Sequence, residues 1–241
     1  MKSISNIADD VLEDAAALEP AAFIDWAVRT FGDRLALALS LSVEDSLLLH
    51  HLDAAAKQHD AVPRVFTLDT GRLPEESYVH LERLRERYTL PIEVMFPQLV
   101  AIEDLYRRKG PLSYLSSIDD RKECCAVRKV EPLGRALSGV DAWLTGLRRA
   151  QSPTRAAIER IERDGERCKL SPLADVDDAT LWSEARRLGV PIHPLHDRGY
   201  PSIGCAPCTR AVAAGEPARA GRWWWEDATQ KECGIHARSR T

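Results

Sequence analysis

The chain has 241 residues, enough for one large domain or two small ones to bury a hydrophobic core without stabilising cross-links. Hydrophobic residues make up 44% and charged residues 29%, which excludes a disordered or fibrous protein. The chain has 33 basic and 37 acidic residues, and the resulting net charge of −4 argues against broad binding to nucleic acid or anionic membranes. Residues 1–15 lack the features of a secretion signal, and apolar runs are far shorter than the roughly 20 residues of a membrane helix. We therefore expect a soluble, cytoplasmic protein.

Short β-type runs alternate with amphipathic stretches in the first half of the chain, a pattern typical of βα units. The predicted strands are 35–39, 65–68, 91–96, 142–145 and, more weakly, 170–173. One predicted helix starts at residue 46, and two others cover 74–88 and 177–188. These elements predict an α/β fold with a mostly parallel sheet flanked by helices.

The pattern changes after Pro191, where proline and glycine become frequent and regular packing is expected to be thin. We found no internal repeat and no low-complexity block. The predicted organisation is one α/β nucleotide-binding domain at 1–190, followed by an irregular C-terminal tail of the same domain at 191–241.

Polar turns follow the first two predicted strands. Residues 40–46 include Ser40 and Ser42 and open a helix, and Leu68 and Asp69 lie in the turn after the second strand. Ligands of parallel sheets collect at the carboxyl ends of strands, where a helix N-terminus offers N–H groups to a phosphate. The first turn alone is equally well explained as a serine helix cap. Two adjacent turns favour a ligand site.

A third polar loop, 145–155, follows the fourth predicted strand. It contains Gly146 and three arginines, Arg148, Arg149 and Arg155. Guanidinium groups match the oxygens of phosphate and sulfate, so the loop is predicted to recognise an anion. The alternative is a solvated basic loop.

Six cysteines are the main chemical signal of the sequence. Structural disulfides are rare in the cytosol, so the adjacent pair Cys124 and Cys125 and the pair Cys205 and Cys208 indicate metal binding or thiol chemistry. Zinc sites normally use two short knuckles, which adjacent cysteines cannot form, whereas neighbouring thiolates could reach two corners of an iron–sulfur cubane. A thioredoxin-type redox pair at 205 and 208 remains an alternative. Cys168 has no partner nearby in sequence and is interpreted as a passenger.

Cys233 lies eight residues before the last residue, beside basic groups and three residues before His236. Such a thiol can have a depressed pKa and act as a nucleophile, although a C-terminal cysteine is often incidental. Upstream, Arg219 and Arg222 precede the aromatic run 223–225, which could hold an anion or dock the tail on the core.

Taken in order, these motifs resemble those of the assimilatory adenylylsulfate (APS) reductases, members of the adenine-nucleotide α-hydrolase-like (PP-loop) superfamily. The resemblance covers residues 25–236. It rests on Cys124-Cys125, Cys205-x-x-Cys208 and the terminal Glu-Cys-Gly-Ile-His, with support from Leu-Asp-Thr-Gly-Arg, Gly-Leu-Arg-Arg-Ala-Gln-Ser-Pro-Thr-Arg and Gly-Arg-Trp-Trp-Trp-Glu.

The resemblance implies a [4Fe-4S] cluster on Cys124, Cys125, Cys205 and Cys208, and adenosine 5′-phosphosulfate as substrate. It implies that the Cys233 thiolate attacks the sulfate sulfur, expels AMP and forms an S-sulfocysteine. Thioredoxin or a glutaredoxin-like dithiol would then release sulfite, as in sulfate assimilation and cysteine biosynthesis.

The resemblance also assigns site residues. Lys129 and His236 join Cys233 in the catalytic set. The expected substrate contacts are Ser40, Ser42, Leu68, Asp69, Gly146, Arg148, Arg155, Arg219 and Arg222. One departure concerns the first turn, where the family usually has glycine and this chain has Ser42, so the Arg155 loop is expected to hold more of the nucleotide.

Three alternatives remain open. The first is a reductase that acts on the 3′-phosphorylated substrate PAPS, or on both substrates. The second is an ATP-dependent PP-loop enzyme, and the third is a non-enzymatic iron–sulfur or zinc module that senses redox state. We expect no nucleic-acid or membrane partner, leave a homo-oligomer open, and predict a mobile catalytic tail.

Overall fold

The computed structural model describes residues 7–227. Its helices are α1 (Asp9–Ala16), α2 (Pro20–Phe31), α3 (Val43–His59), α4 (Glu75–Arg87), α5 (Leu99–Lys109), α6 (Ile118–Cys125), α7 (Glu131–Ala136) and α8 (Asp178–Arg187). Its strands are β1 (Leu35–Ala38), β2 (Arg64–Leu68), β3 (Ile92–Met95), β4 (Ala142–Leu144), β5 (Ile161–Asp164) and β6 (Arg167–Leu170). Every helix in this part of the chain is too short or too polar to cross a bilayer.

The strands form one six-stranded sheet in the order β3-β2-β1-β4-β6-β5. β1 runs parallel to β2 and β4, and β4 runs parallel to β6, while β5 pairs antiparallel with β6. Strand β1 lies inside the sheet, and its Leu35 and Leu37 are fully buried. The prediction of an α/β fold with a mostly parallel sheet is confirmed.

The strand predicted at 170–173 is wrong in position. Residues 167–170 form β6 instead, and Pro172 follows the strand because proline has no N–H for a ladder hydrogen bond. The antiparallel β5 was missed. Gly165-Glu166 is the two-residue loop of its hairpin with β6, and Gly165 has the positive φ of +62° that such a turn uses.

Helix boundaries follow local capping chemistry. Helix α3 begins at Val43, three residues before the predicted start, because the Ser42 side chain accepts a hydrogen bond from the Asp45 N–H. Asp177 caps α8, accepting from the Thr180 N–H over 2.7 Å. Helix α4 (Glu75–Arg87) lies within the predicted range 74–88.

Packing divides the chain into two compact units, each built from separate stretches. Among the described residues, the first contains 7–67, 76–93 and 139–194, and the second contains 68–75, 94–138 and 195–227. The expected boundary between a nucleotide-binding domain at 1–190 and a tail at 191–241 stays a prediction. Within 195–227 the chain is irregular, as predicted, with the short 3₁₀ segments Pro194–Arg198 and Ala206–Cys208 and a bridge between Thr209 and Arg222.

Candidate active site

In the first unit, the turn between β1 and α3 is organised around Asp45. Its Oδ2 accepts hydrogen bonds from the Ser40 N–H, over 2.6 Å, and from the Ser40 hydroxyl. Leu41, between the two, has a positive φ of 66°. Asp45 therefore closes the turn that opens α3, and the start of a helix offers backbone N–H groups to an anion.

Asp45 is 2% exposed, and this burial raises its pKa to about 6. The hydrogen bonds from Ser40 act in the opposite direction, since they favour the carboxylate. The turn therefore contains an acid that is still partly protonated below neutral pH.

The loop after β4 packs directly on this turn. A Cβ atom at Gly146 would lie 2.3 Å from Asp45 Oδ1 and 2.7 Å from Glu44 Cβ. Real Cβ atoms do not approach other heavy atoms so closely, so this position requires glycine. Since β1 and β4 run parallel, the two polar segments share the carboxyl edge of the sheet, as predicted.

Arg148 joins the two segments through an ion pair. Its Nε and Nη2 donate to Glu44 Oε1 over 3.0 and 2.9 Å, and Nη2 also donates to Asp178 Oδ1 over 2.6 Å. Its Nη1 donates to the Val176 carbonyl over 3.0 Å. The side chain is 4% exposed, so the guanidinium is engaged with the protein itself.

Gln151 extends this network toward Arg155. Its Nε2 donates to Glu44 Oε1 over 2.9 Å, and its Oε1 accepts from Arg155 Nη1. Arg155 is 8% exposed. Of the expected nucleotide contacts, the first unit thus brings together Gly146, Arg148 and Arg155 and the turn that carries Ser40 and Ser42.

Leu68 and Asp69 belong to the second unit. Asp69 shapes the turn after β2, since its Oδ1 accepts from the Gly71 N–H over 2.8 Å and Gly71 has a positive φ of 69°. The Thr70 carbonyl accepts from Arg128 Nη1 over 2.5 Å.

The second unit also collects the two cysteine pairs. Cys124 and Cys125 end α6, and Cys205 and Cys208 flank the Ala206–Cys208 turn. All four are 7–9% exposed and belong to one buried cluster. Other members of that cluster are Leu105, Tyr114 and Trp223. The tertiary fold therefore brings together two cysteine pairs that lie about 80 residues apart in the sequence.

A cavity of about 330 Å³, part of it open to solvent, lies between the four cysteines. Its other lining residues are Arg72, Tyr114, Arg121, Arg128, Lys129 and Trp223. Four of these are cationic, and none is a carboxylate. The cavity is therefore electropositive and offers sulfur as its soft ligand.

Two polar contacts reach the cysteine loops. The Thr70 Oγ1 lies 3.2 Å from Cys205 Sγ, and the Arg72 carbonyl accepts from the Ala206 N–H over 2.8 Å. Burial raises the pKa of the Cys208 thiol to about 11. Without a ligand that thiol is neutral, so metal binding there would release its proton.

The four sulfur donors are compatible with an iron–sulfur cluster. Among the described residues, no three His, Cys, Asp or Glu side chains are arranged to hold a single metal ion. A [4Fe-4S] cubane offers a separate iron corner to each thiolate, so its ligands do not have to converge on one point. The surrounding cations would offset the negative charge of four thiolates.

The remaining expected site residues are only partly covered by the described residues. Lys129 lines it, and Arg222 donates to the Ile203 carbonyl over 3.0 Å, while the Arg219 carbonyl accepts from the Arg222 N–H. Cys233 and His236, and the tail predicted to be mobile, lie outside the described residues 7–227. Cys168 is fully buried in β6, and burial raises its pKa to about 11, as a passenger thiol would show.

Sequence reasoning missed Arg72, Arg121 and Arg128 as cavity residues. A signal for two of them was present, because Arg121 and Arg128 stand three residues before Cys124 and three after Cys125. That spacing places them on the same helical face as the cysteines.

Comparison with known proteins now decides the family. Residues 34–211 match the family model described as "Phosphoadenosine phosphosulfate reductase domain". The chain belongs to the phosphoadenosine phosphosulfate reductase family. Within this family, the adenosine 5′-phosphosulfate reductase of Burkholderia cepacia is 48% identical over 207 residues, 85% of this chain and 81% of that protein. The chloroplastic 5′-adenylylsulfate reductase 3 of Arabidopsis thaliana is 43% identical over 236 residues, 93% of this chain and 49% of that protein.

A solved structure of the family has the same fold. The phosphoadenylyl-sulfate (PAPS) reductase of Candida auris, a phosphate complex, superposes with a TM-score of 0.69 at 24% identity, over 88% of this chain and 100% of that one. The FMN adenylyltransferase of Candida glabrata has a TM-score of 0.57 at 14% identity, over 93% of this chain and 76% of that one. The family fold is thus shared with adenylyl-group enzymes.

Proposed function

We propose that this chain reduces adenosine 5′-phosphosulfate to sulfite and AMP with electrons from a dithiol protein such as thioredoxin. The observation that carries the proposal is the buried cavity in which two cysteine pairs meet four cationic side chains. The names of the relatives described above support APS as the substrate.

The chemistry proceeds by two displacements. The Cys233 thiolate attacks the sulfur of the substrate, the S–O bond to the phosphate breaks, and AMP leaves with that electron pair. The enzyme then carries an S-sulfocysteine at Cys233. A thiolate of the dithiol attacks Cys233 Sγ and expels sulfite, and its second thiolate resolves the mixed disulfide. The dithiol supplies the two electrons, and Cys233 is regenerated.

The cationic residues make this attack feasible. A thiolate and a phosphosulfate are both anions, so their approach requires fixed positive charge that a preorganised site supplies. We assign this role to Lys129, Arg219, Arg222 and His236. We assign the nucleotide to the turn of Ser40 and Ser42, to Leu68 and Asp69, and to the loop of Gly146, Arg148 and Arg155. In that loop, Arg148 acts by holding the segment to Glu44 through its ion pair.

Cys124, Cys125, Cys205 and Cys208 would hold a [4Fe-4S] cluster. When bound, the cluster supplies structural order and an electrostatic field, since the electrons come from thiols. The protein contributes the contact from Thr70 to Cys205 and a cation-lined wall that offsets the negative charge of the thiolates.

Anaerobic purification tests the cluster. We expect about four irons and four sulfides per chain and a broad absorption band near 400 nm. Stoichiometric zinc without iron would contradict the assignment. As a matched pair, Cys205→Ser should lose iron, whereas Cys168→Ala, in β6, should retain it.

Single-turnover mass spectrometry tests the reaction. With APS, the wild-type chain should gain one sulfonate on Cys233, and the dithiol should remove it with release of sulfite. The Cys233→Ser variant should lose sulfite production by at least about 1000-fold, because a hydroxyl replaces the nucleophile. Full sulfite production by Cys233→Ser would overturn the proposal.

The second candidate is reduction of PAPS, which the Candida auris relative by its name acts on. Comparing kcat/KM for APS and PAPS decides between them. A clear preference for PAPS would replace our choice of substrate. Pyrophosphate release from ATP would instead indicate an ATP-dependent member of the superfamily.

A further inference from the structure

A buried ion pair connects the cysteine helix to the last described segment of the chain. Arg121, on α6, donates from Nε to Glu226 Oε1 over 2.9 Å and from Nη2 to Oε2 over 2.8 Å. The two side chains are 1% and 4% exposed. This two-bond geometry fixes the orientation of both groups.

Trp223 completes the attachment. The Arg121 guanidinium lies over the Trp223 ring, 4.7 Å from its centroid, and the Trp223 N–H donates to the Cys208 carbonyl over 3.1 Å. The Glu226 N–H donates in turn to the Trp223 carbonyl over 2.9 Å. Trp223 has a positive φ of 42°. A residue with a large side chain keeps this backbone conformation only where the surrounding structure enforces it. Segment 223–226 is therefore held between α6 and the Cys208 turn.

Stability alone does not explain this arrangement. A buried ion pair has a desolvation penalty that well-packed apolar residues would avoid. In return, it fixes the relative orientation of the two side chains, which apolar packing does not do. The pair lies next to the cysteine cavity, and Glu226 precedes Cys233 by seven residues.

We propose that Arg121 is a positioning residue, which through Glu226 sets the point and direction at which the chain leaves the cysteine cavity toward Cys233. This inference rests on the proposed function, in which Cys233 is the nucleophile. Arg121 touches no substrate in this proposal and acts through the backbone of 223–226.

The length of the tether separates two effects. The next upstream attachment is the hydrogen bond from the Trp223 N–H to the Cys208 carbonyl, ten residues before Cys233 instead of seven. Effective concentration falls with about the −3/2 power of tether length, so loss of the Glu226 attachment by length alone costs only about twofold. Loss of the direction in which the chain leaves the cavity lowers the reaction rate more, since small misplacements of reacting groups lower rates by up to about 100-fold.

The test uses Glu226→Gln, which keeps the shape of the side chain and removes its charge. The matched control is Glu216→Gln, because Glu216 forms a similar two-bond pair with Arg210 over 2.9 and 2.8 Å, but with side chains that are 32% and 39% exposed. Arg121→Lys is the second variant, since it retains the charge and loses the two-bond fork.

Two quantities are measured on the iron-loaded protein. The first is amide exchange by mass spectrometry in the peptide that covers 223–227, which does not depend on activity. We expect Glu226→Gln to accelerate it at least about tenfold, since the Trp223 and Glu226 amides lose their support, and Glu216→Gln to leave it unchanged. The second is kcat per bound iron and KM for APS. We expect kcat per iron to fall about tenfold and KM to change less than about threefold.

The outcomes are distinct. If Glu226→Gln loses iron and activity in equal proportion, or if kcat per iron falls by threefold or less, the ion pair is structural and the proposal is overturned. If both substitutions at the pair accelerate exchange in 223–227 and lower kcat per iron, it stands. If the wild type itself does not reduce APS, the proposed function fails, while the exchange measurement still reports whether the ion pair holds this segment.

Discussion

Gly146 lies so close to Asp45 that an added Cβ would stand 2.3 Å from its Oδ1. The contact joins the loop after β4 to the turn after β1 without any space between them. The shape of the proposed nucleotide site therefore depends on a missing side chain as much as on the polar groups around it.

Gly146→Ala should separate these two segments. We expect a loss of about 1–3 kcal/mol in the free energy of unfolding, because the new methyl group overpacks a closed contact, together with a higher KM for APS. Urea denaturation and steady-state kinetics measure the two effects. Gly134→Ala is the control, because Gly134 lies in α7 with nothing within 4 Å of an added Cβ. Equal behaviour of the two variants would contradict the role of Gly146.

The raised pKa of Asp45 predicts a pH dependence of stability. Burial moves it from an ordinary value of 3.8 to about 6, so between these pH values the folded state holds a proton that the unfolded state has lost. The contribution of Asp45 to stability therefore falls as pH rises from about 4 to about 6, and is constant above that range.

Asp45→Asn removes this titration. Relative to wild type, the variant should become progressively more stable as pH rises through the same window, since the cost of burying the carboxylate disappears. Urea unfolding of both proteins at matched pH values gives the difference, in which the titration of other groups cancels. A difference that does not vary between pH 4 and 6 would be inconsistent with the assignment.

Arg148 provides a comparison of two ion pairs on one guanidinium. Glu44→Gln should lower the unfolding free energy by about 2–4 kcal/mol, because both partners are buried and a charge is left poorly compensated. Asp178→Asn should cost less than about 1 kcal/mol, because the Asp178 side chain is 69% exposed. Denaturation curves of the two variants should differ accordingly, and a larger effect of Asp178→Asn would reverse our interpretation.

Cys168 should be unreactive in the folded protein. With a pKa of about 11 and no exposed surface, its thiolate is a minor species at pH 8 and reagents cannot reach it. Alkylation at pH 8 followed by peptide mass spectrometry should leave Cys168 unmodified in native conditions and fully modified in urea. Rapid native labelling would show that β6 opens readily.

Much of the local structure could be predicted because its causes are local. Ser42 and Asp177 cap helices through their own side chains, and the alternation of apolar strands and amphipathic helices identifies a parallel sheet. The strand at 167–170 was misplaced because the apolar run around Leu170 continues past it, and only Pro172 marks where pairing stops. The turns at Ser40 and Gly146 were predicted to share a sheet edge, and they do.

The sequence by itself determined the fold class, the polar turns and the presence of two close cysteine pairs, because these depend on periodicity, on capping residues and on the spacing of neighbouring residues. Only the tertiary structure decided which of these groups meet. The tertiary structure pairs Arg148 with Glu44, 104 residues away in the sequence, and Arg121 with Glu226, 105 residues away. Such pairings follow from long-range packing, which leaves no signal in the spacing of neighbouring residues.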